Sequence, residues 1–129
     1  GLHFQTGEYS QSKLVRCTRG SLYDVAVDLR KGSPTYLKSF GIELSEDNHL
    51  QLLVPKGFAH GFVTLKENTE IQYKVDAFYS KEHDGGIRYD DSDINVDWSN
   101  VLKGNPVLSE KDLNLKYFKD QNLDFTYED

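Results

Sequence analysis

The sequence predicts an all-β fold, a jelly-roll or cupin β-barrel with a few short helical turns near the C-terminus. Three observations carry that expectation. Short β-compatible runs recur at intervals of about a dozen residues, clusters of Gly, Pro, Asn and Asp punctuate them, and helix signals are few. Lys13 to Thr18 alternates, Arg19-Gly20 interrupts, and Ser21 to Arg30 alternates again, so these two runs read as a hairpin closed by a glycine-bearing turn. Lys31-Gly32-Ser33-Pro34 ends the pair. Leu37 to Leu44 and His49 to Val54 flank Glu46-Asp47-Asn48, while Phe62 to Leu65 and Glu70 to Tyr79 flank Lys66 to Thr69, which predicts two further hairpins. In the second run, alternation puts Tyr23, Val25, Val27 and Leu29 on one face, a core stripe. Leu22, Asp24, Ala26 and Asp28 take the other face, a mixture that favours a solvated surface and is also what the wall of a polar cavity shows. From Ser80 onward the chain reads mostly as loop with brief strands, through Asp90-Asp91-Ser92-Asp93 to Asp97-Trp98. Ser109 offers an N-cap for one helical turn ending near Leu113, and Tyr117 to Asp129, acidic and aromatic without a period, reads as a packed or frayed tail.

A chain of 129 residues and 14.8 kDa suits a single domain, 1–129, around one core. The formal net charge is -6, and the 15 Lys and Arg are scattered, so no basic stripe offers itself to nucleic acid. The one cysteine, Cys17, rules out an internal disulfide. No apolar run approaches the roughly 18 residues of a membrane helix. A cytoplasmic protein with no membrane partner is therefore expected. The chain does not begin with methionine, so the lack of a signal-peptide pattern at its start carries little weight.

The 4 histidines, His3, His49, His60 and His83, form neither a His-x-His pair nor a His-Glu-x-x-His motif, and the sequence predicts no metal site. His60 lies in Gly57-Phe58-Ala59-His60-Gly61-Phe62, where glycines permit a sharp turn and phenylalanines anchor it; alone, it reads as structural. Its context is more specific. Gly1-Leu2-His3-Phe4-Gln5 is followed by Lys13-Leu14-Val15-Arg16, Asp24-Val25-Ala26-Val27-Asp28-Leu29-Arg30 and Ser33-Pro34-Thr35. Then come Pro55-Lys56-Gly57-Phe58-Ala59-His60-Gly61-Phe62, Tyr73-Lys74, Tyr79, Ile94-Asn95-Val96-Asp97-Trp98 and Leu108-Ser109-Glu110-Lys111-Asp112.

In order and spacing these segments resemble the dTDP-4-dehydrorhamnose 3,5-epimerase family, whose cupin-type members invert carbons beside a ketone without a metal or redox cofactor. The resemblance implies that His3 is the general base, Asp112 the carboxylate that orients it, and Lys13 the cation beside the substrate ketone. It implies that Tyr73 is the acid on the opposite ring face. It makes Gln5, His60, Asp24 and Tyr79 substrate-binding, with Asp24 as the partner of His60 and Tyr79 an aromatic wall. The chemistry is coherent, because a carboxylate on one imidazole nitrogen fixes the tautomer and leaves the other nitrogen basic. The resemblance further implies a nucleotide-sugar substrate, a homodimer, and a chain that is N-terminally incomplete, since Gly1 falls inside the family's Arg-Gly-Leu-His motif. Inversion of a single carbon, or sugar-nucleotide binding without catalysis, remains open.

Overall fold

A computed structural model describes residues 1–128. The alternating runs become eight strands: β1 (Leu2–Gln5), β2 (Lys13–Arg19), β3 (Ser21–Asp28), β4 (Ser39–Ser45), β5 (Gln51–Val54), β6 (Phe58–Thr64), β7 (Glu70–Val75) and β8 (Asp84–Ile87). They form two antiparallel sheets, a 5-stranded one in the order β4-β3-β6-β1-β8 and a 3-stranded one in the order β5-β2-β7. The all-β, two-sheet jelly-roll expectation holds.

None of the three predicted hairpins forms. β2 pairs with β5 and β7 while β3 pairs with β4 and β6, so each supposed hairpin is a corner at which the chain leaves one sheet for the other. The local chemistry is the same in both cases. Alternation and turn residues mark where the chain reverses, but which edge the next strand meets is decided by long-range packing. At the first corner a register shift between Cys17 and Arg19 bends β2, and Gly20 then turns the chain with φ 80°. A Cβ at Gly20 would come within 2.5 Å of Thr69 Oγ1, so the corner needs glycine for space as well as for backbone angle.

The second face of β3 is not solvated. Both faces of this central strand are buried, and Asp24 and Asp28 are 0% and 1% exposed. Leu22 and Ala26 meet Val15, Cys17 and Val54 of the small sheet in the space between the sheets. Val25, Val27 and Leu29 face the other way and pack with Leu2, Phe4, Ala59 and Ile87 beneath Ile94, Trp98 and Phe125. Two-sided burial follows because the loop-rich C-terminal third covers the outside of the large sheet. Trp98 is held there by Nε1 donating to Tyr89 O at 2.8 Å, and Phe125 O accepts from Lys31 N at 2.9 Å. The tail is thus pinned at Phe125, which is buried, and at Tyr127, whose N donates to Lys31 O at 3.0 Å; Asp129 lies outside the described residues.

Helix is confined to short turns. α1 (Glu110–Leu113) starts as expected, with the Ser109 hydroxyl accepting from Asp112 N at 3.1 Å. A 3-10 turn follows at Phe118–Asp120, and two more, at Gly7–Tyr9 and Lys81–His83, lie outside the C-terminal region. Among the described residues no helix is long and apolar enough to cross a membrane.

The burial of Asp28 rests on a full set of donors. Its carboxylate accepts from Arg30 N and Nε, each at 2.9 Å, and from the hydroxyls of Ser33 and Thr35, while the Arg30 guanidinium lies over the rings of Phe58 and Tyr127. Burial opposes the charge, but these hydrogen bonds outweigh it and hold the carboxyl far below the usual carboxylate range. Because the folded-state pKa is depressed, the stabilisation is complete above the unfolded-state value near ~3.9 and fades as pH falls below it. Asp28→Asn is expected to cost about 3 kcal/mol at neutral pH, since it leaves Arg30 without its partner. The loss should shrink in acid, and urea midpoints for the variant and the wild type at pH 7 and pH 3, at unchanged m-value, measure it.

Candidate active site

β1 carries the first group. Its alternation puts His3 and Gln5 on the face that looks between the sheets, with Leu2 and Phe4 in the outer core. His3 stands opposite His60 of β6, and His60 opposite Ala26 of β3, so the large sheet brings the two imidazoles side by side. Two glycines make this possible for different reasons. Gly57 turns the chain into β6 with φ 87°, while Gly61 lies in the strand, where a Cβ would come within 2.6 Å of Gly1 O. The close approach of β1 to β6 thus depends on Gly61.

The small sheet supplies the facing groups. Lys13 and Val15 of β2 share a face with Val75 and Tyr73 of β7, their register partners, and the Lys13 ammonium sits 6.0 Å from the centre of the Tyr73 ring. Between the sheets lies an open cavity of about 800 Å³. His3, Gln5 and His60 line it from the large sheet, Lys13 and Tyr73 from the small one, Tyr79 from a loop and Asp112 from α1. Seven of the eight residues singled out from the sequence therefore surround one space. Asp24, the eighth, does not reach it: fully buried, it sits behind the wall and bonds the His60 ring through Oδ1. It stands where the resemblance puts it, as the partner of the His60 ring, whose tautomer and plane it sets.

His3 Nε2 lies 2.8 Å from Asp112 Oδ1. α1 holds this carboxylate in place, and the Gly1 nitrogen donates to its second oxygen at 3.1 Å. With its proton on Nε2 toward Asp112, the imidazole keeps Nδ1 as its basic atom. Burial pulls the His3 pKa below its ordinary value against the attraction of Asp112, so the ring is neutral and able to accept a proton at pH 7. Burial lowers Lys13 too, with Asp84 and Asp24 opposing. A poorly solvated cation of this kind is well suited to charge that develops on a nearby oxygen.

Several cavity residues carried no signal in the sequence. Asp84 and Lys111 form an ion pair at the rim; Lys111 neighbours Asp112 in the Ser-Glu-Lys-Asp motif, but Asp84 opens β8 in a polar, glycine-bearing stretch without a motif. Phe62 and Phe78 add apolar wall, and Phe78 is 89% exposed. Gln5 has a further set of contacts. It is 4% exposed, and its amide is committed to backbone groups: Nε2 donates to Tyr9 O at 2.8 Å and Phe78 O at 3.0 Å, and Oε1 accepts from Ser80 N at 2.9 Å. Among the described residues no group of three or more His, Cys, Asp or Glu side chains is arranged to hold a metal ion.

A two-sheet barrel with a buffered imidazole on one wall and a cation and a phenol on the other defines a cupin whose cavity is equipped for proton transfer. The chain belongs to the dTDP-4-dehydrorhamnose 3,5-epimerase family, whose sequence pattern matches residues 1–120. It is 59% identical over 112 residues to dTDP-4-dehydrorhamnose 3,5-epimerase of Sinorhizobium fredii, covering 87% of this chain and 56% of that one. A crystal structure of the Elizabethkingia anophelis enzyme superimposes with a TM-score of 0.89 at 51% identity, over 95% of this chain and 66% of that one. A Legionella pneumophila 3,5-epimerase, solved in complex with dTDP-4-keto-L-rhamnose, superimposes with a TM-score of 0.92 at 37% identity, over 99% and 68%. The chain thus spans less than two thirds of the Sinorhizobium and Elizabethkingia proteins.

Proposed function

We propose that the protein is an isomerase that epimerises a dTDP-linked 4-keto-6-deoxy sugar, converting dTDP-4-dehydro-6-deoxyglucose to dTDP-4-dehydrorhamnose. The observation that carries this reading is the division of labour across the cavity, with the His3-Asp112 pair on one wall and Lys13 and Tyr73 on the other. Carbons beside the ketone carry acidic protons because the carbanion delocalises onto oxygen. His3 Nδ1 removes one such proton, the electron pair moves into the carbonyl, and Lys13 stabilises the enolate oxygen. Tyr73 then gives a proton to the opposite face of the same carbon, which inverts it; His3 loses its proton to solvent and Tyr73 regains one. A second round at the other flanking carbon completes double inversion. No electrons leave the substrate overall, so the balance requires neither nicotinamide nor metal. The ligand of the Legionella relative supports the substrate class.

The test is exchange in heavy water. Substrate incubated with the protein should gain deuterium at both carbons flanking the ketone, and absence of exchange at either would reject the double inversion. A protein that binds dTDP-sugar with no exchange at all would be a binding module instead.

The pH profile follows from the dyad. kcat/KM for exchange should rise through a pKa below the ordinary histidine value and level off by neutrality, because only neutral His3 accepts a proton. Asp112→Asn removes the charge that raises this pKa, so the acid limb should move to still lower pH while kcat falls about 10²-fold with the loss of ring orientation. A limb that moves to higher pH, or does not move, would deny the pairing a role in catalysis.

A homodimer is supported by the edges of β4, β5 and β7, which have no partner strand among the described residues and offer open backbone groups. Molar mass by light scattering tests it. The free, buried thiol of Cys17 is consistent with the reducing cytoplasm.

A further inference from the structure

We infer that Gln5 is a positioning residue that fixes Tyr79 at the cavity mouth by clamping the backbone on both sides of it; this rests on the proposed epimerase reading only for its kinetic consequence. The Gln5 amide behaves as a detached peptide unit. Its Nε2 donates to the carbonyl of Phe78 at 3.0 Å, its Oε1 accepts from the amide of Ser80 at 2.9 Å, and its second Nε2 hydrogen goes to Tyr9 O at 2.8 Å. The residues bonded on the loop are those immediately before and after Tyr79, so one buried side chain holds both flanks of that residue.

Tyr79 needs such a clamp. Its side chain is 66% exposed and the neighbouring Phe78 is 89% exposed, so neither ring is held by packing. The loop is sewn down at its start by Gln11 Nε2 donating to Ala77 O at 2.8 Å, and at its end by Ser80 Oγ and His83 Nδ1 at 2.8 Å, but neither contact touches the flanks of Tyr79 as a pair. Gln5 also lies two residues after His3 on the same face of β1. One short strand therefore ties the position of the proton-accepting imidazole to that of the aromatic wall. The bonds are partly buried, and a loop with so little packing of its own opens at little cost once they are removed.

Gln5→Met keeps the length of the side chain and removes all three hydrogen bonds. A readout independent of any substrate is chymotrypsin, which cuts after aromatic residues. Cleavage of the native protein at Phe78 and Tyr79 should rise about 10-fold in the variant, the change expected when a local opening becomes about 1.4 kcal/mol easier. Unchanged cleavage in a folded variant would overturn the clamp, whatever the activity of the protein proves to be. The second readout is kinetic. KM for the dTDP-4-keto sugar should rise about 10-fold in Gln5→Met, by more than kcat falls, because a displaced aromatic wall weakens binding before it touches proton transfer. Should Gln5→Met fail to fold, Gln5→Glu, which keeps the acceptor for Ser80 but loses both donors, carries the same comparison. In the background of Tyr79→Ala the Gln5 substitution should add nothing further to KM. Additive effects would mean that Gln5 acts on substrate directly or on the fold at large, and would overturn the assignment.

Discussion

His3→Asn is expected to abolish both deuterium exchange and turnover, by roughly 10²-fold to 10⁴-fold, the usual range for removal of a general base. Asparagine approximates the shape of the imidazole near the backbone, but its amide falls short of Asp112, which bonds the far ring nitrogen, and it has no basic atom in the relevant pH range. The loss should therefore be in kcat, with KM little changed, since the cavity walls contributed by Lys13, Tyr73 and His60 stay in place. Folding should persist, because His3 looks into the cavity, whereas its neighbours Leu2 and Phe4 carry the core packing of β1. Thermal unfolding measured beside the exchange assay separates the two effects. Turnover within a few-fold of wild type in a folded His3→Asn protein would remove His3 from the mechanism, and His60, the other imidazole of the cavity, would be next to test.

Tyr73→Phe should separate two events that His3→Asn removes together. The phenol stands on the small sheet, across the cavity from His3, and its ring is 54% exposed at the mouth, so loss of one hydroxyl leaves the strand and the wall intact. His3, Asp112 and Lys13 are untouched, so the enolate still forms. Without an acid on the opposite face the proton returns mostly from the His3 side, which restores the starting configuration but carries solvent deuterium with it. Epimer formation should fall by roughly 10²-fold to 10⁴-fold while exchange survives at a substantial fraction of the wild-type rate. Measuring both in one sample is decisive. If exchange and inversion fall in parallel, Tyr73 is needed to form the enolate or to shape the cavity, and the two-face assignment is wrong.

Particular residues show where sequence reasoning reached and where it stopped. The strands were legible because their alternation is a local property: Leu22, Val25 and Val27 announce a buried strand wherever it lies. The Ser109 cap was legible for the same reason, since its hydroxyl and the Asp112 amide are three residues apart. The hairpins were misread because Arg19-Gly20 reverses the chain equally well within a sheet or between two. An acidic face such as that of Asp24 and Asp28 is usually solvated. Their burial depends on His60, Arg30, Ser33 and Thr35 arriving with hydrogen bonds, and on a C-terminal segment that covers the opposite face of the sheet.

The amino-acid sequence by itself determined the class of fold, the family, and the set of side chains proposed to carry the chemistry, because each is recorded in short motifs of fixed residue type. Only the tertiary structure decided how those motifs meet: that β1 and β6 set the two imidazoles side by side, that Lys13 and Tyr73 face them from another sheet, and that the Gln5 amide bonds the backbone on either side of Tyr79. The physical reason is the range of the forces involved. Alternation, caps and turns depend on neighbours a few residues away, whereas strand partners, buried carboxylates and opposed cavity walls depend on contacts between distant segments, which are selected by the packing of the whole chain.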